Sequence, residues 1–260
     1  MKQESAIASL QALLVASIDP INQLFFHSHM LRAWGSSVAG KRHEEWLAKM
    51  RRLENLVKVL LEHGVKPNSR LATDLMIGSD TRQILESDLA QGRLFIQEIE
   101  SVATEFDEDL PTIVVEMLDA ERADVDNLTS WLSGPESEEE ARDAKFLLPK
   151  PGGADIAIEQ INAVLPPITA AVSQFFYQSL TYAGEQKPAL AKQELEAALL
   201  MMYRAQALLE RLIDLRGVPD GRNQGRIVIA DTEASVDAAS LAVHEVVHDL
   251  LTDAVNAISG

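Results

Sequence analysis

Residues 42–68 read RHEEWLAKMRRLENLVKVLLEHGVKPN, a long stretch with one apolar side. Its apolar residues recur at spacings of three and four: Trp46, Leu47, Met50, Leu53, Leu56, Val57, Leu60 and Leu61. That spacing matches the 3.6-residue turn of an α-helix. Gly64 and Pro67 follow, and both residue types end helices. The stretch therefore predicts an amphipathic helix over residues 41–63.

The same period predicts helices on both sides of this stretch. A helix is expected before it at residues 5–34. Two more are expected after it at 81–106 and 111–132, with Pro111 in the first turn of the latter. The charged segment SGPESEEEARDAKFLLPKPGG (133–153) predicts a linker. Beyond it, helices are predicted at 155–183, 188–216 and 233–258, and Pro166–Pro167 predicts a kink or a delayed start in the first of these.

The composition excludes several classes of protein. The chain has 260 residues, 47% of them hydrophobic but only 5% aromatic, which favours an all-α fold. It has no cysteine, which excludes disulfides and thiolate chemistry and fits a reducing compartment. Its formal net charge of −17 argues against a nucleic-acid partner. No leader pattern and no run of 18 uninterrupted apolar residues is present, so a cytoplasmic protein without a membrane partner is expected.

The second half of the chain repeats the first at an offset of 151 to 152 residues. Gln23 and Phe25 correspond to Gln174 and Phe176. Further pairs keep the register in the two following helices: Met50 with Met202, Leu60 with Leu212, Pro67 with Pro219, Ile77 with Ile229 and Leu89 with Leu241. We therefore predict a duplicated unit. The predicted domains are a four-helix unit (1–132), the acidic linker (133–153) and a truncated three-helix unit (154–260).

Two helices, a long crossing connection and two more helices resemble the ferritin-like bundle. The first unit also resembles bacterioferritins in detail. The matching segments are INQLFFHSHMLRAWG (21–35), LVKVLLEHGVKPN (56–68), LATDLMIGSDTRQILESDLA (71–90) and ERADVDNL (121–128). The second unit resembles the family in SQFFYQS (173–179) and LLERLIDLRGVPD (208–220). The resemblance implies two ferritin-like units packed as a bacterioferritin-like pseudo-dimer within one chain.

The resemblance also implies positions for a di-iron centre of carboxylates and histidines. In the first unit these positions hold Ser17, Lys49, Arg52, Gly92, Glu121 and Asp124. In the second they hold Ile168, Met201, Arg204 and His244. Lys49 and Arg52 would bring cations to where the metal ions sit, in an ion network with Glu121 and Asp124. This departure argues against a working iron-oxidising centre.

One family feature is present in both units. Bacterioferritins bind haem between two subunits through a methionine from each, and Met50 and Met202 match that position. The resemblance implies haem b between the two halves, near a set of accompanying residues: Asn22, Phe25, Trp46, Arg51, Phe176 and Tyr203. Arg51 is expected to meet a propionate. The alternative is that both methionines only fill gaps in a helical core.

His244-Glu245-Val246-Val247-His248 matches the H-E-x-x-H pattern, which places two imidazoles on one side of a helix. A zinc peptidase needs a third protein ligand and an open position, and only 12 residues follow. Metal binding by His244, His248, Glu121 or Asp124 stays open beside the alternative of surface histidines. The sequence thus predicts a haem-binding, bacterioferritin-like protein. The alternative is a non-catalytic ferritin-like subunit without a cofactor that assembles with an active ferritin or with itself.

Overall fold

The computed structural model describes residues 2–65, 67, 70–71, 74–106, 110–135, 151–221, 226–227 and 233–259. The helices are α1 (Lys2–Ala16), α2 (Ile18–Ala33), α3 (Ala39–Glu62), α4 (Thr81–Ala103), α5 (Thr112–Ser133), α6 (Ala154–Gly184), α7 (Pro188–Asp214) and α8 (Glu233–Ser259). Two short strands complete these elements, β1 (Arg70–Leu71) and β2 (Arg226–Ile227). The all-helical prediction is confirmed. Most of the predicted linker, residues 136–150, lies outside the described residues.

The first predicted helix is divided at Ser17 into α1 and α2. Pro20 explains the division, because proline has no N–H to donate to the Ala16 carbonyl and its ring clashes with that group. The Ser17 hydroxyl donates instead to the Leu13 carbonyl at 2.7 Å. In contrast, Pro166 and Pro167 lie inside α6 without interrupting it. The predicted delayed start of that helix is therefore wrong.

The chain divides into two compact units. The first contains residues 1–67 and 76–141, and the second contains residues 68–75 and 142–260. The segment 68–75, which the sequence assigned to the first domain, therefore clusters with the second unit. This happens because β1 lies in that segment and pairs with β2.

Helices α1 to α5 form a four-helix bundle in which α1 and α2 together make one arm. This arm packs on α3 and α4, while α5 packs on α4 and α3. The interior contains fully buried apolar side chains from all four arms: Leu13, Phe26, Leu56, Ile84, Ile99, Val114 and Leu128. Burying such side chains stabilises the fold by roughly 1.5–3 kcal/mol each.

In the second unit, α6 packs on α7 and on α8. The strands β1 and β2 are antiparallel, with Arg70 opposite Ile227 and Leu71 opposite Arg226. Beyond β1, the Leu75 N–H donates to the Gly221 carbonyl at 2.8 Å. These short strands were not predicted, because two residues are too few to show a strand period.

By length and composition alone, two helical stretches could cross a membrane, Ser5–Ala33 and Ala154–Gly184. Core helices of soluble proteins meet the same criteria. The first stretch also carries the buried polar side chains Gln23 and His27, which bond to α4 within the first unit. The expectation of a protein without a membrane partner stays a prediction.

Candidate functional site

The interior of the first unit contains a chain of buried ion pairs that begins at Asp88 on α4. Arg42 on α3 donates from Nε and Nη2 to Asp88 Oδ2, at 3.2 and 2.8 Å. Its Nη1 donates to Asp124 Oδ1 on α5 at 2.6 Å. All three side chains are buried, with Arg42 only 2% exposed. One guanidinium thus joins three helices.

Lys49 continues the network about two turns after Arg42 on α3. Its ammonium donates to Glu121 Oε2, and it lies 3.7 Å from Asp124 Oδ2 and 3.9 Å from Glu45 Oε1. The predicted network of Lys49 with Glu121 and Asp124 is therefore present. Arg52 differs from the prediction, because it donates to Glu45 on its own helix. It reaches the network only through that carboxylate.

Gln23 and His27 on α2 attach the start of α4 and the connection before it to this network. Gln23 Nε2 and His27 Nδ1 donate to Asp88 Oδ1, at 3.2 and 2.6 Å. On their other sides, Gln23 Oε1 accepts from the Met76 N–H at 3.1 Å and His27 Nε2 accepts from the Gly78 N–H at 3.2 Å. The second bond requires a bare Nε2, so the ring proton lies on Nδ1. Both residues therefore bind α4 and the connection at once.

The sequence did not indicate Arg42 or Asp88 as members of this network. A signal existed, because Arg42 and Lys49 are seven residues apart and lie on the same side of α3 as buried Leu56. A charge at such a position needs a buried partner. The partner itself depends on which helix packs there, and the sequence does not give that.

The pKa values of the buried carboxyl groups of Asp88 and Glu121 are shifted in opposite directions. Burial by itself raises the pKa of Asp88, but the charge of Arg42 and the hydrogen bonds from His27 and Gln23 outweigh it and hold that pKa well below its ordinary value. For Glu121, burial raises the pKa above its ordinary value, and Asp124 and Glu45 add to this against the effect of Lys49. For Arg42, burial lowers the pKa, but Asp88 and Asp124 outweigh it and the net shift is upward.

The low pKa of Asp88 predicts that acid destabilises the first unit. A carboxyl with a depressed pKa in the folded state stabilises the fold above its unfolded pKa of about 3.9, and this stabilisation is lost as the pH falls below that value. We expect the melting temperature, followed by tryptophan fluorescence, to fall less steeply below about pH 4 in Asp88→Asn than in the wild type. The exposed Asp119→Asn is the matched control and should keep the wild-type slope. Equal slopes in all three proteins would contradict the role given to Asp88.

The network fills the positions that the resemblance assigns to iron ligands. The Glu121 and Asp124 carboxylates accept from Lys49 and Arg42, so their oxygens are bound to cations. Gly92 brings no ligand, and a Cβ there would lie 3.0 Å from Val125 Cγ2 and 3.1 Å from Glu121 Oε1. Ser17 bonds to the backbone of α1. In the part of the chain that the structure describes, no three His, Asp or Glu side chains form a group that could hold a metal ion.

The predicted haem residues of the first unit lie on α2 and α3. Phe25 and Trp46 are buried, with ring centroids 5.4 Å apart. Met50, one turn after Trp46, is half-buried, as is Asn22, and Arg51 is exposed. His29 and His43 extend the ring cluster, with centroids 6.1 and 5.2 Å from that of Trp46. The first unit therefore has a buried cluster of aromatic rings one helical turn before a thioether that is accessible in part.

The predicted haem residues of the second unit lie on α6 and α7. Met202 and Phe176 are half-buried and Tyr203 is 60% exposed, whereas Met201 is fully buried. Haem binding between the two units stays a prediction.

His244 and His248 lie exposed on α8. The His244 ring stacks on Phe175, with centroids 5.0 Å apart, and His248 Nδ1 lies 3.4 Å from Asp249 Oδ1. Metal binding by either histidine stays a prediction.

No protein-family model matches the chain. The chain is similar to a bacterioferritin. Over 91 residues it is 30% identical to the Bacterioferritin of Brucella melitensis biotype 1. The match covers 34% of this chain and 56% of that protein, so the chain spans about half the length of the curated relative that it matches. This likeness, together with the helical bundle of the first unit, supports a ferritin-like protein.

Proposed function

We propose that the chain is a duplicated ferritin-like protein that does not oxidise iron and that binds haem b between its two halves through Met50 and Met202. The observation that carries this proposal is the pairing of the two methionines at equal positions. Each is half-buried, and each directly follows a residue buried in its own unit, Lys49 or Met201. The protein would then hold haem, transfer electrons or regulate iron storage.

Helix ends support the duplication. The α3 and α7 helices end at Glu62 and Asp214, and α4 and α8 begin at Thr81 and Glu233. Both pairs are 152 residues apart, which is the offset of the sequence repeat.

The ion network supports the absence of iron oxidation. An iron centre of this family needs carboxylates and imidazoles with lone pairs directed at the metal. Here Lys49 and Arg42 bind the two carboxylates on α5 that occupy ligand positions. A metal ion that bound Glu121 and Asp124 would have to take these carboxylates from Lys49 and Arg42. The buried ammonium and guanidinium groups would then lack a counter-ion, which is costly.

The side chains around the methionines fit a haem. Thioethers are established axial ligands of haem iron, and haem supplies one-electron chemistry when bound. The half-buried Phe176 offers flat apolar surface for a porphyrin, and the buried Phe25 and Trp46 rings lie on the two helices of the first unit that carry the predicted haem residues. The exposed Arg51 guanidinium is a suitable partner for a propionate. Asn22 is half-buried on α2 and Tyr203 is exposed on α7.

A visible spectrum tests the haem proposal. The full chain purified from haem-replete cells is expected to show the bands of haem with two thioether ligands, and Met50→Leu with Met202→Leu is expected to abolish them. Met76→Leu is the matched control, since Met76 is 40% exposed and outside the predicted site. A colourless wild-type protein that takes up no added haem would refute haem binding. Oxidation of added ferrous iron faster than in buffer would refute the other half of the proposal.

A second candidate is a non-catalytic ferritin-like subunit without a cofactor, acting with a bacterioferritin or with further copies of itself. Exposed apolar side chains on the second unit favour it, with Leu200 46% and Leu241 59% exposed. A cytoplasmic location suits both candidates.

A further inference from the structure

In the first unit, α5 covers one side of α3 and of α4. On α3 this side includes Lys49, which donates to Glu121 of α5. On α4 it includes Gly92, where an added Cβ would lie 3.0 Å from Val125 of α5. The neighbouring positions on these two sides are half-buried: Ala48, Arg52, Leu89 and Ile96. The fourth helix of the bundle is therefore what removes these positions from water.

The second unit leaves the corresponding positions open. At the offset of 152 residues, the counterparts of Ala48, Arg52, Leu89, Gly92 and Ile96 are Leu200, Arg204, Leu241, His244 and His248. All five counterparts are exposed, with Leu200 at 46% and Leu241 at 59%. We call these five residues the open face. Among the residues that the structure describes, no helix covers it in the way that α5 covers its counterpart.

The two helices that carry the open face are held together. Both α7 and α8 pack on α6, and the Ser240 hydroxyl on α8 lies 3.4 Å from Glu194 Oε2 on α7. Between the exposed residues lies an apolar floor, since Met201 and Val247 are 0% and 1% exposed. This is the geometry of a helix-binding surface with two fixed walls, on which none of the described helices packs as a third.

The charge of the open face indicates the chemistry of its partner. Arg204 is exposed, and its Nη1 lies 3.9 Å from the Met201 sulfur. His244 and His248 add two imidazoles, while the acidic Glu245 and Asp249 each lie one residue further round α8. A net charge of −17 makes two copies of the chain repel each other, and the exposed Arg204 favours an acidic residue at the edge of a bound helix.

We propose that the open face binds an amphipathic helix of a partner protein, in the place that α5 takes in the first unit. The apolar side of that helix packs on Leu200 and Leu241, and an acidic residue on its edge pairs with Arg204. The inference rests on the proposed duplication, because the duplication supplies the counterpart positions. It deepens the proposed function by naming the class of partner.

The probe is a fluorescent 22-residue peptide with the sequence of α5 (Thr112–Ser133) and two changes. Glu121→Leu is needed because its partner Lys49 corresponds to the apolar Met201. Asp124→Gln is needed because its partner Arg42 corresponds to Glu194. Fluorescence anisotropy with the full chain is expected to show saturable, one-to-one binding. Leu200→Glu with Leu241→Glu is expected to weaken this binding by at least about tenfold, and Arg204→Glu is expected to weaken it and to remove part of its salt dependence.

Val246→Glu is the matched control. Val246 is 51% exposed on the same helix, but its counterpart Leu94 is 54% exposed in the first unit although α5 is present. The position therefore lies outside the side that a fourth helix covers. We expect Val246→Glu to bind the peptide within about twofold of the wild type, and circular dichroism should show equal helix content in all variants.

Three outcomes would overturn the inference. The first is no binding at saturating peptide, and the second is binding that Val246→Glu weakens as much as the two leucine changes. The third is a concentration-dependent dimer of the chain that the leucine changes abolish, since a second copy would then be the occupant. The haem test is independent of these, because Met50→Leu with Met202→Leu should still bind the peptide. A wild-type chain that takes up no haem but still binds the peptide would refute the haem proposal alone.

Discussion

Replacing Arg42 with methionine is expected to lower the free energy of unfolding of the first unit by about 3–5 kcal/mol. The change leaves Asp88 and Asp124 buried without the guanidinium that binds both. All three tryptophans, Trp34, Trp46 and Trp131, lie in the first unit. Urea unfolding followed by tryptophan fluorescence therefore reports on that unit, and the midpoint of its transition measures the loss.

Arg82→Met is the control for this change. Arg82 pairs with Glu86 on the exposed side of α4 at 2.9 Å, and both side chains are more than half exposed. Its loss is expected to cost at most about 0.5 kcal/mol, because exposed ion pairs contribute little. Adding Asp88→Asn and Asp124→Asn to Arg42→Met should restore part of the stability, since no buried carboxylate then lacks its cation. An Arg42→Met protein as stable as the wild type would contradict the role of the network.

The second large effect is expected at Gly78, where alanine should destabilise the first unit by about 1–3 kcal/mol or more. A Cβ there would lie 2.4 Å from the Ile84 backbone nitrogen, so the backbone before α4 must move. That movement also disturbs the bond from the Gly78 N–H to His27 and with it the contact of His27 to Asp88. The measurement is the same fluorescence transition in urea.

Gly40→Ala provides a control of opposite sign. Gly40 lies in the first turn of α3, and a Cβ there meets nothing within 4 Å. Alanine in a helix is favoured over glycine by roughly 0.5–1 kcal/mol. We therefore expect Gly40→Ala to match or exceed the wild type. If the two alanine variants are destabilised equally, close packing at Gly78 is not the cause.

The helices could be predicted because each has apolar residues at the helical period. This period continues over enough residues to distinguish a helix from a strand. The break at Ser17 was missed although its cause, Pro20, stands in the sequence, since the prediction followed the apolar period through it. The pairing of β1 with β2 joins segments more than 150 residues apart, and no local pattern encodes such a contact.

The candidate site could be predicted in part. The resemblance predicted Lys49, Glu121 and Asp124 as one group, because all three match ligand positions in the interior of the family's bundle. It did not give Arg42 and Asp88, because these two charges face each other only after α3 and α4 have packed. The apolar pattern of one helix shows only that a charge lies on the buried side of that helix. The partner of this charge depends on which helices pack against each other.

Lys49 lies at the centre of the first unit and supplies a positive charge that metal ions supply in an iron-binding bundle. A bundle built around two iron ions is complete only when those ions are supplied, and chelation or starvation leaves its carboxylates in mutual repulsion. Lys49 and Arg42 are part of the chain itself. Every molecule therefore carries the counter-charges of Glu121 and Asp124. Under the proposed function, the abundance of the folded first unit is therefore expected to follow gene expression and not to depend on the iron supply.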